Sequence, residues 1–150
     1  MAMILLGSDH GGLELKESVK ALLEERGIGY EDCGTYSTDS VDYPDFGEKV
    51  SRRVSNGEAE KGILFCGTGI GMSIIANKFP GVRAALATDL FTAQMAKEHN
   101  NANILVLGGR VLQKEQALSM VAVWLDSQFD GGRHQQRLDK IRQIENELNK

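Results

Sequence analysis

Short apolar runs alternate with amphipathic stretches along the whole chain, and this alternation constrains the fold more than any other feature of the sequence. Apolar runs at about 3–7, 28–33, 62–66, 82–87 and 103–107 are typical of short strands in a buried sheet. Between them, apolar side chains recur at helical spacing. Because repeated strand–helix units cross over with one hand, the sequence predicts an α/β protein. We expect a three-layer α/β/α sandwich with a doubly wound, five-stranded parallel sheet of the Rossmann-like type.

Local signals place the helices. In the first, Leu13, Val19, Leu22 and Leu23 form the apolar stripe and Gly27 ends the helix, whereas the polar face carries Glu14, Lys16, Glu17 and Lys20. Pro44 suits the first turn of a helix over about 43–55, and Asp89 can cap a helix that runs to about Lys97. Further helices are expected over about 70–77 and 114–126. After Gly131–Gly132, an extended C-terminal helix carries an apolar stripe of Leu138, Ile141, Ile144 and Leu148.

Composition excludes several classes of protein. The chain has 150 residues, with 17 Lys and Arg against 21 Asp and Glu, a net charge of −4 and 41% hydrophobic residues. This length supports one core, so we expect one domain over residues 1–150. The acidic balance argues against binding nucleic acid over a broad face. No run of about 18 apolar residues could cross a membrane, and no secretory signal precedes the first strand, so a cytoplasmic protein is expected.

The cysteines and histidines do not form a metal-binding motif in the sequence. Cys33 and Cys66 are far apart, with no CxxC and no histidine at ligand spacing. We therefore expect no metal site and two free thiols in a reducing compartment.

Residues whose side chains could bind a ligand or take part in catalysis follow the predicted strands. In doubly wound sheets, ligands bind beyond the carboxyl ends of the strands. The first strand runs into Ser8–Gly12, the third into Cys66–Ser73 and the fifth into Gly108–Arg110. We also assign His99–Asn100, at the end of the helix after the fourth strand, to loops flanking this edge. The sequence thus predicts one cluster of functional side chains beside the sheet.

The glycines after the third strand can form an anion cradle. Gly67, Gly69 and Gly71 allow close approach to the backbone, and the following helix directs free N–H groups at the same point. No Lys–Ser/Thr pair closes the loop as in a Walker A motif. Met72 stands where a dinucleotide fingerprint needs glycine and a C-x5-R phosphatase loop needs arginine. The alternative is a tight strand-to-helix turn without a ligand.

Cys66 and two arginines carry the remaining chemistry. A thiol at a strand end that faces a helix N-terminus can ionise more readily and act as a base beside a row of N–H donors. The alternative is a buried structural cysteine, which is how we interpret Cys33. Arg133 and Arg137 share a helix face and, with His134 beside them, could clamp a phosphate, although such pairs are often simply solvated.

Together these motifs resemble the ribose-5-phosphate isomerase B family, in the wider group that includes the galactose-6-phosphate isomerase subunits. The matching segments span nearly the whole chain in order: 7–12, Asp42–Pro44, Cys66–Ser73, His99–Asn100, Gly108–Arg110 and Arg133-His134-x-x-Arg137. The resemblance implies interconversion of ribose 5-phosphate and ribulose 5-phosphate in the pentose phosphate pathway. It also implies no metal, no organic cofactor, and a homodimer or a tetramer with active sites at the subunit interface.

The resemblance also assigns roles to residues. Cys66 would move the proton between C1 and C2, His99 would open the furanose ring, and Thr68 would assist at the ring or hydroxyl oxygens. Backbone N–H groups from Gly67 through Gly71 would hold the enediolate oxygen, with Ser73 near by. The remaining substrate-binding residues fall into two sets: Asp9, Tyr43 and Asn100 at the sugar, and His10, Arg110, Arg133 and Arg137 at the phosphate. The N–H groups assigned to the enediolate oxygen are those of Gly67, Gly69, Ile70 and Gly71.

Two other functions fit the same residues. One is an allose-6-phosphate or galactose-6-phosphate isomerase that uses the same chemistry with a longer pocket. The other is a non-catalytic module in which the glycine turn only holds a phosphorylated metabolite. Turnover distinguishes the isomerases from the module, and substrate preference distinguishes the isomerases from each other.

Overall fold

The computed structural model describes residues 3–149, and within them a five-stranded sheet forms the centre of the molecule. Every pairing between neighbouring strands is parallel, and the spatial order is β2-β1-β3-β5-β4. The strands are β1 (Ile4–Ser8), β2 (Tyr30–Asp32), β3 (Lys61–Cys66), β4 (Ala84–Leu86) and β5 (Ile104–Gly108). The outer strands β2 and β4 have three residues each, shorter than the apolar runs suggest. Each pairs with one neighbour only, so the ladder ends sooner.

The helices follow the predicted order closely. They are α1 (Leu13–Glu25), α2 (Tyr43–Ser55), α3 (Ile70–Ala76), α4 (Leu90–Glu98), α5 (Lys114–Asp126) and α6 (Arg133–Leu148), with a short 3-10 turn over His10–Gly12 before α1. The cap at Asp89 is confirmed: its carboxylate accepts the N–H of Thr92 at 2.7 Å, and the Thr92 hydroxyl oxygen accepts the N–H of Asp89.

Two apolar layers cover the sheet, which confirms the predicted three-layer sandwich. Helices α1, α4 and α5 pack on one face over residues such as Leu6, Phe65 and Leu107. Helices α2 and α3 pack on the other face over Leu5, Leu64 and Val106. Successive residues of each strand point to opposite faces, so every central strand contributes to both cores.

Helix α6 extends beyond these layers. Of its described residues only His134 is buried, and the predicted stripe leaves Ile141, Ile144 and Leu148 exposed. Within residues 3–149, none of the helices combines the length and the apolar character needed to cross a membrane.

The topology places the crevice expected of a doubly wound sheet beyond the carboxyl ends of β1 and β3. Strand β1 leads into α1 on one face, whereas β3 leads into α3 on the other, so the chain diverges between these adjacent strands. Such a switch point at the carboxyl ends is where doubly wound sheets bind ligands. The glycine turn that follows β3 lies there.

Candidate active site

The turn after β3 has a conformation that glycine favours. Gly69 adopts φ 84°, and a Cβ at this position would lie 2.5 Å from Leu86 Cδ1. The Ile70 N–H donates to Thr68 Oγ1 at 3.3 Å, and the Ser73 N–H donates to the Gly69 carbonyl at 3.0 Å. These bonds fix the start of α3 directly beside the crevice.

Neighbouring loops hold this turn through backbone contacts. The Gly109 N–H donates to the Cys66 carbonyl at 2.8 Å, and the Arg110 N–H donates to the Gly67 carbonyl at 2.9 Å. On the other side, a Cβ at Gly11 would lie 3.2 Å from the Gly67 nitrogen. The loops after β1, β3 and β5 therefore form one continuous backbone surface.

A cation lies against this surface. The exposed Arg110 folds over Gly67, where a Cβ would lie 3.2 Å from Arg110 Nη1. Such a guanidinium beside backbone N–H groups suits a phosphate or a developing oxyanion.

Three further predicted residues reach the same edge. The Tyr43 ring lies on Gly71, where a Cβ would be 2.5 Å from its Cε1 and Cζ atoms. His10 Nδ1 accepts the N–H of Val41 at 3.2 Å, which joins the loop after β1 to the loop before α2. The nearly buried Asp9 accepts the Gly12 N–H at 3.1 Å and so caps the 3-10 turn.

Cys66 ends β3 at the base of the turn. Its thiol is free and 5% exposed, and it belongs to the apolar cluster that includes Leu64, Met72 and Val106. Among residues 3–149, no hydrogen bond to its sulfur is found. The sulfur is thus largely enclosed. A substrate would approach it through the crevice at the end of β3.

His99 and Asn100 lie elsewhere, so the prediction that they flank this edge is wrong. Helix α4 starts beyond the carboxyl end of β4 and runs back along the sheet, so His99, which caps its C-terminal end, lies near the amino ends of the strands. The next residue but one, Asn101, accepts a hydrogen bond from Arg83 Nε at 2.9 Å, just before β4 begins. In a strand–helix unit, only the start of the helix shares an edge with the preceding strand end.

A second group of side chains surrounds His99. Its ring stacks on that of His134, with centroids 4.1 Å apart and an interplanar angle of 13°. Asp130 Oδ2 lies 3.8 Å from His99 Nε2. The pKa of His134 lies below its ordinary value. Burial is the largest cause, and the neighbouring His99 and arginines add to it. Sequence reasoning missed Asp130 and the histidine stack, because tertiary packing alone brings the three segments together.

Arg133 and Arg137 lie on the exposed face of α6, next to this stack. Within the described residues, neither guanidinium forms an ion pair. The chain therefore carries two separate groups. The carboxyl-edge group comprises Asp9, His10, Tyr43, Cys66, Gly67, Thr68, Gly69, Ile70, Gly71, Ser73 and Arg110; the amino-edge group comprises His99, Asn100, Arg133 and Arg137.

Known proteins match this chain over nearly its full length. The family model described as Ribose/Galactose Isomerase matches residues 4–141. Ribose-5-phosphate isomerase B of Escherichia coli strain K12 is 45% identical over 149 residues, covering 99% of this chain and 100% of the relative.

Solved structures give the same result. A ribose-5-phosphate isomerase B of Clostridium thermocellum superposes with a TM-score of 0.95 at 51% identity, over 97% of this chain and 99% of that one. The Mycoplasma genitalium ribose-5-phosphate isomerase B, solved with bound ribulose 5-phosphate, gives a TM-score of 0.92 at 41% identity, over 96% of each chain.

The fold and these matches define a class of enzyme, the isomerases of phosphorylated sugars. The chain belongs to the ribose/galactose isomerase family.

Proposed function

We propose that this chain interconverts ribose 5-phosphate and ribulose 5-phosphate as a cytoplasmic homodimer, without a metal or an organic cofactor. The observation that carries the proposal is the carboxyl-edge group: a cysteine, a turn of backbone N–H groups and a guanidinium meet at the switch point between β1 and β3. These are the base, the oxyanion site and the anion anchor that an aldose–ketose isomerase requires.

The reaction proceeds through an enediolate. The Cys66 thiolate takes the proton from C2 of the open-chain aldose, and the electron pair forms the C1–C2 double bond. Negative charge appears on O1, where the N–H groups of the glycine turn stabilise it. A proton moves from O2 to O1, and the Cys66 thiol returns its proton to C1, which leaves the ketone at C2.

Ring opening comes first, and we assign it to His99 of the partner subunit. His99 accepts the proton of the anomeric hydroxyl and passes a proton to the ring oxygen, so it ends the step with as many protons as it began, and Thr68 assists at these oxygens. A histidine suits this exchange because its pKa ordinarily lies near neutrality. In one chain the two groups lie at opposite edges of the sheet, and a single site forms when two chains meet with these edges in contact.

The same arrangement completes the phosphate anchor. Arg110 approaches from the carboxyl edge, and Arg133 and Arg137 approach from the partner subunit's first turns of α6. The exposed side chains of Ile70 and Ile74, on α3 beside the crevice, supply apolar surface for that contact. Closing the second chain over the crevice also excludes water from the enclosed thiolate.

Replacement of Cys66 by alanine tests the proposal. We expect Cys66→Ala to lower kcat for ribose 5-phosphate by about 10²–10⁴-fold or more, because a carbon base is lost, while binding of the sugar phosphate remains. Cys33→Ala is the matched control, since Cys33 is also buried but follows the outer strand β2, where its sulfur lies 3.8 Å from Arg53 Nη1, and it should keep the wild-type rate. Turnover is followed as the rate of ribulose 5-phosphate formation.

The outcomes separate the three candidate functions. Wild-type turnover in Cys66→Ala would exclude the thiolate as base. A wild-type chain that binds ribose 5-phosphate without turnover would be a binding module. A higher kcat/KM for allose 6-phosphate in a side-by-side assay would indicate a hexose-phosphate isomerase.

A further inference from the structure

Three metal-ligating side chains meet at the amino edge. His99, Asp130 and His134 each offer one ligand atom, and these atoms all lie within 4.8 Å of one another. Asp130 is half-exposed and His99 nearly so, whereas His134 is 8% exposed. The cluster thus has a buried inner ligand and an open side on the surface of the single chain.

Backbone hydrogen bonds fix the three segments. The Asp130 N–H donates to the Glu98 carbonyl at 2.9 Å, which ties the connection after α5 to the end of α4. The His99 N–H donates to the Met95 carbonyl at 2.9 Å, and the His134 N–H donates to the Gly131 carbonyl at 3.0 Å. The cluster is therefore built by the fold and does not depend on long flexible side chains.

The donor set selects a class of ion. Two imidazole nitrogens and one carboxylate suit Zn²⁺, Co²⁺ or Ni²⁺, whereas Mg²⁺ and Ca²⁺ prefer oxygen ligands. Three protein ligands leave a fourth position open for water. An imidazole binds a metal in its ring plane, so one ring must turn out of the stack, in which the planes now differ by 13°.

Nearby charge limits the affinity. Arg133 and Arg137 lie on the same helix as His134 and repel a cation, and only Asp130 in the cluster offers a negative charge. We therefore expect reversible binding, weaker than in a closed structural zinc site.

We propose that His99, Asp130 and His134 bind a divalent ion of the Zn²⁺ class, and that the bound ion inhibits the enzyme by withdrawing His99 from ring opening. The inhibitory part rests on the proposed function, because it assumes that His99 acts on the sugar. The binding part stands on the cluster alone. The ion has no part in the isomerisation itself.

Cobalt binding tests the site directly. Untagged protein freed of metal is titrated with Co²⁺, and d–d absorption is recorded beside metal content after dialysis. We expect one Co²⁺ per chain. Loss of a residue that only hydrogen-bonds to a metal ligand lowers metal affinity by roughly 10–100-fold. Asp130→Asn and His134→Gln change ligands themselves, so each should lower the Co²⁺ affinity by at least that factor. Asp139→Asn, an exposed carboxylate on α6 outside the cluster, is the matched control and should bind as wild type.

Two spectroscopic outcomes would overturn the binding part. One is wild-type Co²⁺ affinity in both cluster variants. The other is a thiolate-to-cobalt charge-transfer band in the near ultraviolet, which would place the ion on a cysteine instead.

Inhibition is measured separately. Zn²⁺ should lower the rate on ribose 5-phosphate in wild type and Asp139→Asn, a chelator should restore it, and Mg²⁺ should have no effect. Asp130→Asn should remain active and resist Zn²⁺. Equal inhibition of Asp130→Asn, or full activity of the zinc-loaded wild type, would overturn the inhibitory part. Absence of isomerase activity in the metal-free wild type would contradict the proposed function and leave the cobalt result intact.

Discussion

At the scale of single residues, a contact between two helices decides which side chain the site tolerates at position 71. Gly71 has no room for a side chain, because the Tyr43 ring occupies the space where a Cβ would lie. The contact fixes Tyr43 against the first turn of α3, beside the N–H groups that we assign to the oxyanion. The absence of a Cβ at position 71 therefore positions an aromatic ring that belongs to another helix.

We expect Gly71→Ala to impair the enzyme more than it impairs the fold. The added methyl group displaces the Tyr43 ring, so kcat/KM for ribose 5-phosphate should fall about tenfold or more, since small misplacements in a site are costly. Overpacking against a movable, partly exposed ring should cost about 1–3 kcal/mol in the free energy of unfolding. Gly29→Ala is the control, because nothing lies within 4 Å of a Cβ there. Equal kcat/KM values for the two variants would contradict the role of this contact.

Most residues of the carboxyl-edge group could be predicted because they end a strand or lie in the loop that follows it. Cys66 is the last residue of β3 and Arg110 follows β5 after one glycine, and the end of a parallel strand lies at a known edge of the sheet. His99 lies at the end of a helix, so its edge depends on the direction in which the chain returns. Asp130 approaches His99 only through a contact between the ends of α4 and α5, which no local pattern encodes.

At the scale of elements, the polar face of α1 carries a buried charge. Lys16 is 0% exposed, and its Nζ lies 2.5 Å from both Asp32 Oδ1 and the Thr35 carbonyl oxygen. Asp32 also pairs with Lys20 at 2.9 Å. Lys16 of the predicted polar face is therefore buried, because the loop after β2 folds over α1 and supplies acceptors for the ammonium group. That loop continues toward Tyr43.

Removal of the buried ammonium group should destabilise the protein strongly. We expect Lys16→Met to lower the free energy of unfolding by about 3–5 kcal/mol. The methionine side chain fills the space of the lysine stem but leaves the buried acceptors without their donor. Lys20→Met, which removes a more exposed partner of the same carboxylate, should cost about 1 kcal/mol or less. Urea unfolding of both variants provides the comparison, and equal losses would show that burial of Lys16 has no special energetic weight.

The same carboxylate should contribute to the pH dependence of stability. Burial alone would raise the pKa of Asp32, but hydrogen bonds from Lys16, the Gly34 N–H and Lys20 outweigh it and hold the pKa below the ordinary value. A depressed pKa stabilises the folded state above the unfolded pKa of about 3.9, and this contribution disappears as pH falls through the folded pKa. The difference in unfolding free energy between wild type and Asp32→Asn should therefore shrink below about pH 4. A difference that stays constant from pH 7 to pH 3 would contradict this linkage.

At the scale of the whole molecule, the two groups lie at opposite edges of one sheet. Symmetry makes this arrangement economical: when two copies meet with the carboxyl edge of each against the amino edge of the other, both sites are completed by the same contact. The exposed apolar side chains of α3 and α6 lie on the surfaces that such a contact would use.

Complementation between inactive variants tests the shared site. Cys66→Ala and His99→Asn should each be nearly inactive alone. After subunit exchange at equal amounts, half of the dimers are mixed and each has one intact site, so about a quarter of wild-type activity should return. A mixture of Cys66→Ala with Thr68→Ala is the control, because both changes affect the same edge and both sites of the mixed dimer remain damaged. No recovery in the first mixture would show that each chain forms its own site.

Separation of the two edges by the body of the sheet has a consequence for dilute solutions. A single chain would have Cys66 in its site but no partner His99 to open the sugar ring. The rate per chain should therefore fall once the protein concentration drops below the dissociation constant of the dimer. Catalytic output would then rise more steeply than in proportion to the amount of chain present, until pairing saturates.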